Sequence, residues 1–462
     1  METKLNYKRT FLIGLAFLSI CSFWQMYDNI IPLILQNTYH LGETMTGAVM
    51  ALDNVLAIFL LPVFGMLSDK VHTKLGRRMP FIVAGTILAV IFMMLLPMID
   101  NAEKARWSTG ESFSNQVIFL AVLFFTLVSM GLYRSPAVAL MPDVTPNHLR
   151  SRANAVINLM GAVGGVYALI MIKVLVGKGE TPDYLPLFAS IAAVMAIAVG
   201  ILVITIRENK LREEVEKAET ANTEKVEEKA IAEGVEAAGE IEAVADTEQS
   251  GATGKTKGMP KEVKRSMYFM LASIFLWFTA YNAVTTAFSR YTKVVWKMEG
   301  GSFANCLMVA TVAAILSYIP IGSISAKIGR KKTIMGGVLL MAACYGGAIF
   351  AREYHPIVNV AFALIGVAWA AINVNSYPMI VAMSSGSDVG KFTGTYYTFS
   401  MAAQILTPVL SGFLLENVSY NTLFPYALFF SLMAFLTMTQ VRHGDVKPQK
   451  KESILENFDV DD

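Results

Sequence analysis

The sequence has few charged residues, and very few cysteines and histidines, for its length. Only 16% of its 462 residues are charged, five are histidine and three are cysteine. This scarcity of charge, with a mean hydropathy of +0.50, excludes an ordinary soluble globular protein. The cysteines Cys21, Cys306 and Cys344 lie in separate apolar stretches, so they form no metal-binding motif and are not expected to form disulfides.

The sequence also lacks the motifs of the common enzyme classes. It has no glycine-rich phosphate-binding loop, no zinc-ligand spacing and no recognisable set of nucleophile, base and acid. We therefore predict a protein that is not an enzyme, binds no cofactor or metal and is not driven by ATP. The formal net charge of +2 comes from cations in short loops beside apolar segments, so it gives no reason to expect a nucleic-acid partner.

What the sequence has instead is a series of apolar segments long enough to cross a lipid bilayer. A membrane-spanning helix needs about 20 mostly apolar residues. The segments that meet this requirement are residues 11–36, 46–68, 79–99, 116–141, 153–176, 184–206, 267–290, 302–326, 332–351, 356–382, 392–415 and 422–441. They fall into two sets of six, so we predict an all-α membrane protein with twelve transmembrane helices in two pseudo-symmetric halves.

A polar stretch separates the two sets of six. Residues 207–262 are rich in Glu, Ala, Lys and Thr and cannot bury an apolar surface. We predict a largely disordered cytosolic linker between an N-terminal half at 1–206 and a C-terminal half at 263–443, followed by a polar tail at 444–462. A regulatory role for the linker is an alternative to a simple tether.

Basic residues gather on one predicted side of the membrane. They lie at the N-terminus and at 70–78, 150–152, 207–212, 261–265, 327–332 and 442–451. Because Lys and Arg are enriched in cytoplasmic loops, we expect both termini in the cytosol and the protein in the plasma membrane. The expected partners are then the lipid bilayer and a small-molecule substrate, and the expected functional form is a monomer.

Two kinds of loop recur at matching places in the two halves. The run Gly65-Met66-Leu67-Ser68-Asp69-Lys70 and the following Gly76-Arg77-Arg78 join spans two and three, and 322–332 joins the corresponding spans of the second half. A Pro-bearing segment with an acid and a cation follows the fourth span of each half. We expect these loops to close the cytosolic side in one state of a conformational cycle. The candidate gating residues are Gly65, Asp69, Gly76, Arg77, Arg78, Arg134, Asp143, Arg150, Arg152, Arg330 and Lys391.

These motifs resemble those of a known transporter family. Gly65, Ser68 and Asp69, the Gly76-Arg77-Arg78-x-Pro80-Phe81 run, and Pro136-x-x-Ala139-Leu140-x-x-Asp143 are similar to the major facilitator superfamily, most of all to sucrose transporters and their glycoside-pentoside-hexuronide cation symporter relatives. The resemblance implies the fold of that superfamily and uptake of a glycoside coupled to protons or sodium. It also implies an acid in the fourth span and an arginine near Val138, but this chain has neither.

Two aspartates lie inside predicted spans, where a charge costs a few kcal/mol. Asp28 in the first span and Asp53 in the second come out at similar depth, because a helix rises 1.5 Å per residue and the two spans run in opposite directions. They could share a proton or bind a coupling cation, H+ or Na+; alternatively, each only fixes helix packing. Arg134 lies nearer the cytosolic end of its span. It could extend to the membrane surface, act as a gate or contact substrate, and its depth argues against a direct pair with Asp53 in every state.

A sugar site needs side chains that donate and accept hydrogen bonds, together with aromatic rings for the apolar faces of the sugar. We expect such a site near the membrane midplane, between the halves. The candidate substrate-binding residues are Trp24, Gln25, Asp28, Asn29, Asn54, Tyr281, Asn282, Asn373, Asn375, Tyr396, Tyr397 and Gln404. The candidate ion-coupling residues are Asp28 and Asp53.

The sequence therefore predicts a secondary active transporter, with sugar uptake by cation symport and alternating access as the favoured function. Two alternatives stay open. The first is a drug or metabolite exporter with the same fold. Such an exporter would require a largely hydrophobic cavity. The second is a non-transporting membrane sensor that signals through the linker.

Overall fold

The computed structural model describes residues 5–109, 115–146, 149–179, 181–217, 220, 260–383 and 389–445. Within these residues the chain forms twelve long α-helices, together with a helical stretch at 208–217 and a short 3-10 helix at Tyr420–Thr422. The long helices are α1 (Tyr7–Asn37), α2 (Glu43–Lys70), α3 (Met79–Thr109), α4 (Gln116–Asp143), α5 (Arg150–Leu175), α6 (Leu185–Thr205), α7 (Lys261–Val294), α8 (Ala304–Ile328), α9 (Arg330–Ala348), α10 (Val358–Met383), α11 (Val389–Asn417) and α12 (Leu423–Thr439).

These helices confirm the predicted membrane fold. In the described part of the chain, eleven candidate spans are long and apolar enough to cross a bilayer. The remaining long helix, α9, begins with Arg330, Lys331 and Lys332, which lower its apolar character. Several helices extend past the predicted spans; α7, for example, covers 261–294 where the apolar pattern indicated 267–290. The polar ends continue the helix because their backbone groups still need hydrogen-bond partners near the membrane.

The two halves repeat the same packing scheme. In the N-terminal half, α1 packs against α5 and α6, α4 packs against α2 and α3, and α3 packs against α6. In the C-terminal half, α7 packs against α11 and α12, α10 packs against α8 and α9, and α9 packs against α12. The halves meet mainly through α2 with α11 and α5 with α8, which is again a symmetric pair of contacts. The predicted pseudo-symmetry of two six-helix halves is therefore present.

The bundle has two ends, which we name by their charged residues. The basic face is the end where α1 begins and α2 ends, and it carries Arg77, Arg78 and Arg330. The opposite face is the end where α1 ends and α2 begins, and it carries Glu43 and Arg290.

Glycines allow the halves to meet closely at the opposite face. A Cβ on Gly47 of α2 would lie 2.1 Å from the carbonyl oxygen of Pro408 in α11, and one on Gly412 would lie 2.5 Å from the carbonyl oxygen of Glu43. No side chain fits at such distances, so these positions need glycine for the two backbones to touch. Small residues of this kind are typical of helix contacts in lipid.

A buried ion pair also crosses between the halves at the opposite face. Glu43, at the first position of α2, lies 2.8 Å from Arg290 of α7, measured from Oε2 to Nε. The two residues are only 4% and 2% exposed. The hydroxyl of Tyr420 donates to the second carboxylate oxygen of Glu43. Nearby, Glu416 of α11 accepts a hydrogen bond from the backbone N–H of Thr44 at 2.8 Å. Three contacts, one each from α7, the 3-10 helix and α11, therefore hold the start of α2.

Candidate functional site

A central cavity of about 930 Å³ lies between the two halves. Its walls come from α1, α2, α4 and α5 on one side and from α7, α8, α10 and α11 on the other. Lining residues such as Pro142 and Asn154 lie near the ends of α4 and α5 at the basic face. The lining stops well short of Glu43 and Arg290, so the cavity extends towards the basic face and is closed at the opposite face.

The N-terminal half supplies the charged and amide side of the cavity. Gln25, Asp28 and Asn54 line it, and so do Trp24 and Arg134. The guanidinium carbon of Arg134 lies 5.8 Å from the Trp24 ring centroid, within the range of a cation–π contact. The indole N–H of Trp24 is buried and has no hydrogen-bond partner among the described residues.

The two predicted coupling aspartates are close enough to interact electrostatically. Asp28 lines the cavity, and Asp53 lies beside it, where the Asn54 amide donates to Asp53 Oδ1 at 2.7 Å. The charge of Asp53 acts on Asp28, and the charge of Arg134 acts on Asp53. Arg134 thus lies at the cavity rather than at the membrane surface, and it interacts with Asp53 through space. Among the described residues, Arg134 acts on Asp53, and no cation acts on Asp28.

The C-terminal half supplies the aromatic side of the cavity. The rings of Tyr281 and Trp369 stack with centroids 3.7 Å apart and planes 7° apart, and Phe278 packs edge-on against Trp369 at 5.3 Å. Tyr396, Tyr397 and Gln404 of α11 line the same cavity. A flat aromatic surface thus lies across from the amides and carboxylate of the N-terminal half.

Four predicted amides do not line the cavity. Asn29 and Asn375 donate to backbone carbonyl oxygens one turn earlier in their own helices, at 2.8 and 2.9 Å, and Asn373 is 3% exposed. Asn282 is absent from the lining, and its amide nitrogen is buried without a hydrogen-bond partner among the described residues. These four amides lie within the helix packing in this conformation.

Sequence reasoning missed several lining residues, of which Trp369 is the most prominent. Trp369 lies four residues before Asn373 on α10, but that amide does not line the cavity, so the choice of Asn373 did not identify Trp369. Other unpredicted polar or reactive side chains in the lining are Cys21, Ser135, Asn154, Asn158, Thr311, Tyr318 and Ser400.

On the basic face, the predicted gating arginines form a network within the N-terminal half. Arg78 is 5% exposed and donates to Asp143 Oδ2 from Nε at 2.9 Å, while one of its terminal nitrogens contacts Asp69. Arg77 also pairs with Asp143, at 2.7 Å. Arg78 further donates to the carbonyl oxygen of Gly65 at 3.2 Å. The network joins the end of α2, the start of α3 and the end of α4.

Glu208 completes this network, and it was not predicted. Its carboxylate accepts backbone N–H groups of Arg77, Arg78 and Met79 at 2.9–3.1 Å, which satisfies free donors at the start of α3. Gly76 has a φ of +125°, and a Cβ there would lie 2.0 Å from Glu208 Oε2. The segment 208–217, which was assigned to the linker, is helical, and its first residue is fully buried in the loop.

The remaining gating candidates have simpler surroundings. Arg150 donates to the carbonyl oxygen of Thr145 at 3.3 Å, and Arg330 donates to that of Pro378 at 3.2 Å. Arg152 is half-buried near the start of α5. The side chain of Lys391, most of the linker and residues 446–462 of the tail lie outside the described residues.

Comparisons with known sequences agree with this architecture. The sequence model of the Major Facilitator Superfamily matches residues 12–312 and 298–457. A sucrose transport protein of Arabidopsis thaliana, SUC4, is 35% identical over 116 residues, which cover 24% of this chain and 22% of the relative. The rice sucrose transport protein SUT3 (Oryza sativa subsp. japonica) is 26% identical over 137 residues, covering 28% and 27%. The chloramphenicol resistance protein CraA of Acinetobacter baumannii is 30% identical over 139 residues, covering 30% and 32%. The matches thus span less than a third of each relative.

Solved structures share the fold over nearly the whole chain. A bacterial homologue of the iron transporter ferroportin in an inward-facing state gives a TM-score of 0.64 at 12% identity, covering 95% of this chain and 99% of that one. The xylose transporter XylE from E. coli in an inward-open conformation gives 0.63 at 14% identity, covering 97% and 98%. At such identities the likeness shows the fold alone.

Proposed function

Because this chain belongs to the major facilitator superfamily, we propose that it is a secondary active transporter that takes up a sugar together with H+ or Na+. The sugar would be a glycoside or disaccharide, bound in the central cavity and released by alternating access. The naming of several similar relatives as sucrose transport proteins supports this substrate class.

The observation that carries the proposal is the two-sided wall of the cavity. A sugar ring has an apolar face that stacks on aromatic rings and a rim of hydroxyls that needs both donors and acceptors. The stacked Tyr281 and Trp369 offer the first, and Gln25, Asp28 and Asn54 offer the second. The volume of about 930 Å³ lies near the upper end of the range of about 300–1,000 Å³ typical of small-molecule sites.

The charge balance of the cavity supports coupling to a cation. Arg134 interacts with Asp53, and within the described part of the chain no cation acts on Asp28. A proton or sodium ion bound at Asp28 and Asp53 would neutralise this excess, and we propose that it stabilises the outward-open, sugar-binding state. Its release with the sugar would leave Arg134 as the remaining counter-charge, as in the present conformation.

The closed opposite face and the extension of the cavity towards the basic face support an inward-open state. The concentration of Lys and Arg on the basic face favours a cytosolic position for that face. We propose, on this basis, a plasma-membrane location with both termini in the cytosol, and function as a monomer.

Sugar binding can be tested with two cavity variants and one matched control. We expect Trp369→Leu and Tyr281→Leu to weaken sugar binding about two- to tenfold each, since a stacking contact with an aromatic ring is worth roughly 0.5–1.5 kcal/mol. Trp107→Leu removes an exposed indole outside the cavity and should leave binding unchanged. The measurement is a thermal-shift or scintillation-proximity titration of purified protein with mono- and disaccharides. Equal affinities in all three variants would contradict the proposed site.

Coupling can be tested by separating exchange from accumulation. In proteoliposomes, we expect Asp28→Asn and Asp53→Asn to keep sugar counterflow while losing accumulation driven by a proton or sodium gradient. Running each gradient alone identifies the ion. Unchanged uphill accumulation in both variants would remove these carboxylates from the coupling mechanism.

An exporter of apolar compounds is the second candidate, and two observations favour it. The cavity also has an apolar stretch that includes Phe17, Ile20 and Leu61. One similar relative is named as a chloramphenicol resistance protein. Efflux of chloramphenicol from cells expressing this chain, with no sugar-dependent thermal shift, would select the exporter; sugar accumulation without efflux would select the symporter.

A further inference from the structure

A second, smaller cavity lies on the basic face, away from the central cavity. It has a volume of about 290 Å³ and lies between the start of α1 and the segment that follows α6. We call it the α1–α6 groove. Its polar lining includes Asn6, Lys8, Arg9, Arg207, Lys210 and Glu214.

The α1–α6 groove concentrates positive charge from two distant parts of the chain. Lys8 and Arg9 come from α1, and Arg207 and Lys210 come from the segment after α6. The one acid in the lining, Glu214, lies 3.6 Å from Arg9 and is 66% exposed, so it forms a loose pair. Three cations remain without an acid in the lining. Several positive charges that face one concave site attract an anion.

Membrane topology alone explains cations on this face, but not their arrangement around a groove. The charge bias that sets membrane topology requires only that Lys and Arg lie in the cytoplasmic loops. It does not depend on where their side chains point. Here the start of α1 and the segment that follows α6 bring their cations to the same cavity. The N-terminus of α1 adds its partial positive charge, although Asn6 caps the N–H of Arg9 at 3.1 Å and the N–H of Tyr7 donates to the Leu5 carbonyl oxygen at 3.0 Å.

The groove also begins where the lipid-facing surface of α6 ends. Ile204 is 82% exposed on the outside of the helix, and the next residues, Thr205 and Ile206, already line the groove. A ligand with acyl chains along α6 would therefore place its headgroup at the height of Arg207 and Lys210. Basic pockets at this depth are suited to anionic lipid headgroups.

We propose that the α1–α6 groove binds a phosphate group, supplied by an anionic phospholipid. The bound headgroup would connect the start of α1 to the segment that carries Glu208. Glu208 lies between Arg207 and Lys210 in the sequence and caps α3. The ligand would thereby support the Arg77 and Arg78 network from outside. Free phosphate has the same chemistry and is the other source that the experiment must distinguish.

The test uses the full-length protein in three conditions: phosphatidylcholine nanodiscs, nanodiscs with added phosphatidylglycerol, and phosphatidylcholine nanodiscs with inorganic phosphate. The groove variant is Lys8→Gln/Arg207→Gln/Lys210→Gln. The matched control, Lys74→Gln/Lys327→Gln/Lys332→Gln, removes three exposed cations elsewhere on the same face. The readouts are the thermal unfolding midpoint and the number of retained lipids by native mass spectrometry.

We expect phosphatidylglycerol to raise the midpoint of the wild type and of the control, and its apparent affinity to fall at least about tenfold in the groove variant, since each basic residue contributes appreciably to anionic lipid binding. Equal stabilisation by inorganic phosphate would assign the site to a soluble phosphate. If the groove variant and the control respond alike to both ligands, the proposal is overturned. The readouts do not depend on transport, so this result is separate from that of the proposed function.

Discussion

On the opposite face the two halves contact each other through charged side chains and touching backbones, whereas on the basic face the charged contacts described above stay within one half. Glu43 and Arg290 pair across the halves, and Gly47 lies against Pro408. Arg77 and Arg78, by contrast, find their partners in Asp69, Asp143 and Glu208 of the same half. The contacts at the opposite face therefore join the two halves, and those at the basic face stabilise the helix arrangement within a half.

The difference indicates how the equilibrium between conformations is set. Contacts that cross between halves exist only while the opposite face is closed, so their free energy favours this state over one that is open there. Contacts inside a half persist in both states and contribute mainly to overall stability. Variants at the opposite face should therefore change the equilibrium between conformations, whereas variants at the basic face should change overall stability. Cys21, which lines the central cavity while Cys306 and Cys344 are buried, provides the measurement.

The largest effect is expected from Glu43→Gln. Removing one partner of a buried ion pair costs about 3–5 kcal/mol, because it leaves the other charge uncompensated. We expect the opposite face to open, and a membrane-impermeant thiol reagent added from that side to modify Cys21 at least about tenfold faster. The double variant Glu43→Gln/Arg290→Gln should recover much of the closed state. Labelling that stays slow in the single variant would show that this pair does not hold the face closed.

A somewhat smaller effect is expected from Gly47→Ala. The added methyl group cannot fit against the Pro408 carbonyl oxygen, and overpacking of this kind costs about 1–3 kcal/mol. Labelling of Cys21 from the opposite face should again increase. The matched control is Gly200→Ala, because a Cβ at Gly200 of α6 meets nothing within 4 Å. If the two alanine variants label at the same rate, close backbone contact is not what seals the face.

Arg78→Lys is expected to change stability without changing the closure of the opposite face. Lysine keeps the charge but cannot reach Asp69, Asp143 and the Gly65 carbonyl oxygen together, so about 1–3 kcal/mol of stability should be lost. The unfolding midpoint should fall while Cys21 labelling from the opposite face stays at the wild-type rate. Arg352→Lys, at an exposed arginine, is the control for the substitution itself. Faster labelling in Arg78→Lys would show that contacts within one half also keep the opposite face closed.

The smallest effect is expected from Glu416→Gln. The exposed carboxylate supports the N-terminus of α2 by its charge and by accepting the Thr44 N–H, and a glutamine oxygen can still accept that bond. We expect less than about a twofold increase in Cys21 labelling, since such helix-end charges are screened by solvent. Glu353→Gln, at another exposed acid of the same face, should change nothing. A change as large as that of Glu43→Gln would place Glu416 among the principal contacts.

The fold could be predicted from the sequence because it depends on local properties. Length and hydropathy decide which segments span the membrane, and the polar stretch after residue 206 divides them into two sets of six. The predicted ends of the helices were less accurate, since Glu43 and Lys261 belong to helices that continue past the apolar pattern. A polar residue near the membrane surface does not end a helix, and hydropathy alone does not show this.

The site could be predicted only in part, because it depends on helix rotation and on contacts between distant residues. Trp24, Gln25 and Asp28 face the cavity as expected, whereas Asn29, one position further, turns to its own helix. The pairing of Glu43 with Arg290 and the burial of Glu208 against the α3 start join segments far apart in sequence. Nothing in the local pattern identifies such partners. That the cavity residues bind sugar stays a prediction until it is measured.

The capping of α3 by Glu208 has a practical consequence for experiments that produce the two halves as separate polypeptides. A break placed at residue 207, where the polar composition begins, would leave the free N–H groups of Arg77, Arg78 and Met79 on one fragment and their acceptor on the other. A break placed after Lys217 keeps acceptor and donors on the same fragment. Co-expressed fragments divided at the later position should therefore assemble in higher yield.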